Sequence, residues 1–106
     1  MKFARITTAT VPIDKIEEFN RVYAQNNLPA LKSVPGFEGI YLLIDRSTGE
    51  GFSLTFWASE EDATAYERSG LYAELVEKLR RFFTKPPTLR SYEVPVELPA
   101  LTLVSR

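Results

Sequence analysis

Neither cysteine nor histidine occurs anywhere in these 106 residues. The first absence removes disulfides, thiol nucleophiles and zinc–thiolate sites. The second removes the commonest metal ligand and general base, and with it the usual proximal haem ligand. No metal site is expected. An excess of one charge is missing too: 13 Lys and Arg stand against 14 Asp and Glu, and no basic run stands out. A nucleic-acid surface therefore has no electrostatic support. No apolar run approaches the ~18 residues of a membrane span. The opening Met1-Lys2-Phe3-Ala4-Arg5 leads into an alternating pattern and not into an apolar signal core. These absences lead us to expect a cytoplasmic protein with no membrane and no nucleic-acid partner.

What is present is a globular composition, 44% hydrophobic and 12% aromatic, at a length that suits one domain. Phe3 to Val11 alternates and is rich in β-branched residues, which predicts a first strand. Pro12 suits a first helical position, and Ile13, Ile16, Phe19, Tyr23 and Leu31 fall near one helical face. Asn26-Asn27-Leu28-Pro29 is expected to interrupt that helix, because Pro29 crowds the preceding turn and offers no N–H. Pro35-Gly36 then makes a turn, Gly39 to Asp45 reads as a buried strand, and Arg46 to Gly51 as a hairpin turn.

In the next strand Phe52, Leu54 and Phe56 alternate with Ser53, Thr55 and Trp57, the only tryptophan. Ser59 followed by Asp62 reads as a helix N-cap with an acidic first turn, and Ser69-Gly70 breaks the helix at about Arg68. A ridge of Leu71, Leu75, Leu79 and Phe83 follows, then a loop holding Pro86-Pro87. Leu89 to Val96 is the last strand, and Pro95 argues that it is an edge or ends in a bulge.

The order β-α-β-β-α-α-β is the split βαβ, ferredoxin-like α+β plan: a four-stranded antiparallel sheet with helices on one face. Phe52, Leu54 and Phe56 are candidates for the bare face, although the register that meets the helices is open at this level. So large an apolar face calls for a cover, and a self-complementary homodimer is the simplest one. The last ten residues, 97–106, are expected to form an arm across a second subunit.

Two stretches, Val34-Pro35-Gly36-Phe37-Glu38-Gly39 and Phe56-Trp57-Ala58-Ser59-Glu60-Glu61-Asp62-Ala63, resemble the antibiotic biosynthesis monooxygenase family over roughly residues 1 to 96. The resemblance implies a dimeric α+β barrel. It also places Trp57 where that family's active-site tryptophan lies. Haem-degrading relatives carry an asparagine at the position of Thr7 and a histidine near Val76, so two of their three key residues are replaced here. Quinone-forming relatives carry an asparagine at the position of Ser53, whose hydroxyl lacks the fixed donor geometry of an amide.

Oxygenation of that second kind uses no cofactor, because an ionised phenol or enol supplies the electrons itself. It needs an apolar pocket with groups that stabilise an anion. The candidates are Trp57 as a stacking wall, Arg5, Thr7 and Ser53 as polar groups, and Asn26, Asn27, Tyr23, Tyr66 and Tyr72 for a small-molecule substrate. Each also has a plainer role: Trp57 in the core, Arg5 in an ion pair, Thr7 as a β-former, the two asparagines at a helix end, and the tyrosines as amphipathic anchors. A non-catalytic ligand-binding or stress-associated dimer is the alternative. Isomerisation through an enolate is a third reading; it needs a base, and without histidine only a carboxylate, lysine or tyrosine could serve.

Overall fold

The computed structural model describes residues 1–99. The elements run β1 (Phe3–Thr10), a 3-10 turn (Ile13–Lys15), α1 (Ile16–Leu31), β2 (Phe37–Ile44), β3 (Glu50–Trp57), α2 (Glu60–Arg68), α3 (Leu71–Leu79), a second 3-10 turn (Arg80–Phe82) and β4 (Thr88–Glu93). The sheet order is β2-β3-β1-β4 with every pair antiparallel, which is the ferredoxin-like arrangement. No helix among the described residues is long and apolar enough to cross a membrane.

Local chemistry explains most of these boundaries. The Ser59 hydroxyl oxygen accepts from the Asp62 N–H at 3.1 Å, and Glu60, Glu61 and Asp62 occupy the positive first turn of α2. A cap of this kind contributes about 1 kcal/mol. Gly70, at φ +88°, separates α2 from α3. The two stretches that carry the family resemblance meet in space. Ala58 N–H donates to the Gly36 carbonyl at 2.8 Å, and the Phe37 and Trp57 rings pack edge to face at 5.7 Å. Gly36 has φ +79°, and a Cβ there would run into the Asp62 carboxylate, so only glycine suits the site.

Three expectations are corrected. α1 is not interrupted at Asn26–Pro29 but continues to Leu31. Pro29 lies in the last turn, where it forfeits only the bond its N–H would give to the Gln25 carbonyl. Leu31 is fully buried in the core around Trp57, and that burial, worth roughly 1.5–3 kcal/mol, outweighs the lost bond. Ile13 is exposed, because it belongs to the separate 3-10 turn. Asn27 joins the buried ridge of Ile16, Phe19, Tyr23 and Leu31. β2 is an edge strand and not a buried one, with Tyr41 65% exposed.

The register settles which face meets the helices. Phe3, Arg5, Thr7 and Ala9 of β1 lie opposite Trp57, Thr55, Ser53 and Gly51 of β3 on the covered side. Ile6, Phe52, Leu54, Phe56, Tyr41 and Leu43 point the other way, with Tyr41 and Phe56 packed edge to face at 6.2 Å. Beneath the helices the core falls into two clusters. One gathers Phe3, Leu31, Trp57, Ala63, Tyr66 and Leu75. The other gathers Val11, Ile16, Phe19, Tyr23, Leu79 and Phe82.

β4 is an edge strand as expected, and it ends at Glu93, short of Val96. The arm expected over residues 97–106 lies, from residue 100 onward, outside the described residues. Glu97 pairs with Lys2 Nζ at 2.8 Å.

Candidate functional site

Between the two core clusters the sheet presents polar side chains to the helices. Arg5 faces Thr55 across the β1–β3 ladder, and Thr7 faces Ser53. Ala9 and Gly51 follow, too small to fill the space beside them, and a chamber opens there between the sheet and helices α1 and α3. Its apolar wall includes Phe19, Leu31, Leu42, Leu75, Leu79 and Phe83.

Each polar group on the strands except Thr55 is tied to a helix. Tyr23 OH and Ser53 Oγ lie 2.5 Å apart, and Thr7 Oγ1 lies 2.9 Å from Tyr72 OH. Arg5 Nη2 donates to Glu67 Oε1 at 2.6 Å. Thr55 Oγ1 instead accepts from the indole N–H of Trp57 at 3.0 Å.

Two atoms are left over. Arg5 and Asn27 are each only 7% exposed and both line the chamber, yet Arg5 Nε and Asn27 Oδ1 have no hydrogen-bond partner among the described residues. A buried polar atom without a partner costs about 1–3 kcal/mol, more when charged. Two such atoms beside one chamber mark it as a place built for a polar guest or for water.

Burial sets the ionisation of the phenols. It pushes the Tyr66 hydroxyl far above the ordinary tyrosine range, with the neighbouring Tyr72 and Tyr23 phenols adding to the rise. Tyr72 is raised mainly by burial, against its bond to Thr7 and the charge of Arg5. Tyr23 is raised by burial against its bond to Ser53. At neutral pH all three therefore keep their protons. Among the described residues no Asp or Glu lines the chamber, and no cluster of carboxylates fit to hold a metal ion occurs.

Of the nine candidate residues, seven come together here: Arg5, Thr7, Tyr23, Asn27, Ser53, Tyr66 and Tyr72. Trp57 does not line the chamber. It is completely buried, and the Tyr66 ring stacks on it at 4.8 Å with 24° between the planes. Asn26 is not among the lining residues either, since one step along a helix turns a side chain by about 100°. Thr55 and Glu67 belong to the site and were not singled out from the sequence. Period-2 alternation from Ser53 reaches Thr55 directly. Glu67 offers no such signal, because its partner Arg5 is 62 residues away.

The free space is small. The centre of a water molecule has about 50 Å³ in which to move. One water needs roughly 10–15 Å³ on that measure, so about three to five waters fit; at roughly 30 Å³ each they take about 90–150 Å³, at most the roughly 150 Å³ cavity that takes one benzene ring.

A family model described as antibiotic biosynthesis monooxygenase matches residues 2–78. No significant match is found among curated proteins. Solved structures share the fold. A monooxygenase from the gene ActVA-Orf6 of Streptomyces coelicolor, in complex with the ligand Nanaomycin D, aligns at TM-score 0.74 and 19% identity, covering 92% of each chain. The heme-degrader MhuD of Mycobacterium tuberculosis, with two hemes bound in its active site, aligns at TM-score 0.74 and 22% identity over 92% of this chain and 99% of that one. A chain from Bordetella bronchiseptica, described as an antibiotic biosynthesis monooxygenase, aligns at TM-score 0.74 and 15% identity over 90% and 98%. At these identities the likeness is one of fold.

Proposed function

Since the chain belongs to the antibiotic biosynthesis monooxygenase family, we propose that its chamber hosts cofactor-independent oxygenation of a small aromatic or enolisable molecule. The observation that carries this reading is the composition of the chamber. A single buried cation, Arg5, and three un-ionised phenols stand among apolar walls, with two polar atoms lacking partners. Such a site stabilises an electron-rich anion and keeps bulk water away from it.

In the proposed reaction a bound phenolate transfers an electron to dioxygen, and the two radicals combine at a ring carbon bearing hydrogen. The O–O bond then breaks and water leaves. One oxygen atom stays in the quinone and the other departs in the water, so dioxygen is the oxidant and the phenol the reductant. Tyr72 and Tyr23, each already paired with a strand hydroxyl, are placed to return protons to the leaving oxygen. Trp57 supports this from behind by fixing the plane of Tyr66. The chamber's size favours a single ring over a fused polycycle. Haem breakdown is not part of the reading, because Thr7 and Val76 stand where the haem-degrading relatives have asparagine and histidine.

The bare sheet face fits a second copy of the chain. Phe52, Leu54 and Phe56 are flanked there by the exposed Tyr41 and Leu43, and packing the face against itself removes an apolar patch from water. The absence of a carboxylate base from the described lining favours a second reading, a dimer that holds its ligand without turning it over.

Oxygen uptake and quinone absorbance over hydroquinone, catechol and anthrone substrates, with Tyr72→Phe and Trp57→Phe beside the wild type, test the proposal. Turnover that falls in Tyr72→Phe supports oxygenation. Binding by the wild type with no oxygen uptake on any of these substrates leaves the non-catalytic reading.

A further inference from the structure

We infer that the chamber takes a single-ring phenol or enol acidic enough to arrive already ionised, and that this guest also carries a hydrogen-bond donor. Arg5 is its counter-ion and Asn27 accepts from the donor. The inference rests on the chamber being the substrate site and names the class of substrate.

Charge is the first argument. Arg5 is the only charged residue in the lining among the described residues. The groups around it come from every neighbouring element. α2 brings Glu67 and Tyr66, α3 brings Tyr72, and α1 brings Tyr23 and Asn27. β3 brings Ser53 and Thr55, and β4 sets Ser91 beside Arg5 in the ladder. Glu67 is the only anion among them. It binds Arg5 from outside the lining with its side chain half exposed, so solvent screens it while the guanidinium stays buried. The field inside the chamber is therefore positive.

Unmet hydrogen bonding is the second. Among the described residues Arg5 Nε–H is a donor without an acceptor, and Asn27 Oδ1 is an acceptor without a donor. A molecule with one anionic oxygen and one hydroxyl answers both. A neutral phenol has one hydroxyl to share between the two atoms, and a plain hydrocarbon ring has nothing to offer either.

The missing base is the third. To ionise a weakly acidic phenol in place, the protein would have to accept its proton. The lining holds no carboxylate, and its three tyrosines hold their own protons at neutral pH. The anion must then form in water and be selected by the site, so the pH dependence of any turnover follows the pKa of the substrate.

The test uses para-nitrophenol and its catechol analogue para-nitrocatechol, whose ionised forms absorb in the visible, titrated against the intact protein near the pKa of each ligand. Anion selection raises the ionised fraction on binding, with the apparent pKa of the ligand lowered by about one unit, a tenfold preference. Arg5→Gln abolishes the shift. Glu67→Gln enlarges it by removing the competing carboxylate, which loss of a purely structural ion pair would not do. Asn27→Leu removes the advantage of the catechol over the phenol.

A bound ligand whose colour fades overturns the inference, as does an unchanged apparent pKa or no binding by the folded protein. An anion shift with no oxygen uptake from hydroquinone, catechol or anthrone supports this inference while striking the oxygenation reading. Oxygen uptake from a ligand bound in its neutral form does the reverse.

Discussion

The two faces of the sheet invert the usual order of polarity. The face covered by helices carries Arg5, Thr7, Ser53 and Thr55 at its centre, while the uncovered face carries Ile6, Phe52, Leu54, Phe56, Tyr41 and Leu43. An antiparallel sheet with one wet side normally turns its apolar residues inward. On the stability of a single chain alone the opposite arrangement is favoured. The inner face gives up apolar contact to hold a chamber, and the outer face withholds polarity where a second copy is proposed to pack.

The largest expected effects come from one substitution on each face. Trp57→Ala strips the inner core of its fully buried aromatic, and a loss of about 3–5 kcal/mol is expected in urea unfolding. Leu54→Asp, on the outer face, is expected to halve the particle mass in sedimentation while the far-ultraviolet circular dichroism stays native. A mass unchanged by Leu54→Asp would remove the argument that this face meets a second copy.

A more selective break is Thr55→Val. It keeps the shape but leaves the buried Trp57 indole N–H without an acceptor, at an expected cost of about 1–3 kcal/mol by chemical denaturation. The tyrosines sharpen the comparison through pH. Their folded-state pKa values are raised, so their contribution to stability is complete below the ordinary tyrosine value of about 10 and declines as pH climbs beyond it. Tyr66→Phe is expected to flatten the alkaline limb of the stability profile. An alkaline limb left unchanged by Tyr66→Phe would show that burial in the chamber is not the cause. The smallest contrast pairs neighbours on opposite faces. Thr7→Val, which strands the Tyr72 hydroxyl, is expected to cost about 1 kcal/mol, and Thr8→Val to stay within about 0.5 kcal/mol.

Most of the fold is legible in short-range pattern. Alternation marks β1 and β3, Ser59 and Asp62 mark the start of α2, and Gly70 marks the break before α3. What escaped depends on contacts distant in sequence. Pro29 reads as a helix breaker until the burial of Leu31 is known, and with the helix intact Asn27 turns from a terminal residue into an inward one. The site was legible as residue types, since alternation from Arg5 and from Ser53 each gives one face of a strand. The role of Trp57 was not, because nothing in the local chain shows that Tyr66 covers it. Nor was Glu67, whose claim on Arg5 exists only once α2 lies over β1.

The contact between Gly36 and Ala58 fastens one end of the fold. The Gly36 turn is latched to the end of β3 by a backbone bond and by the close seat of Asp62. Across the chamber the polar ties from helix to sheet are side-chain bonds, Tyr23 to Ser53, Tyr72 to Thr7 and Glu67 to Arg5, beside the apolar packing of the two clusters. A guest entering on that side is expected to part those three bonds while the latch stays shut. In hydrogen exchange the Ala58 amide, although it sits on the surface, then keeps its proton through every opening that admits a ligand and yields it only when that end of the fold comes apart.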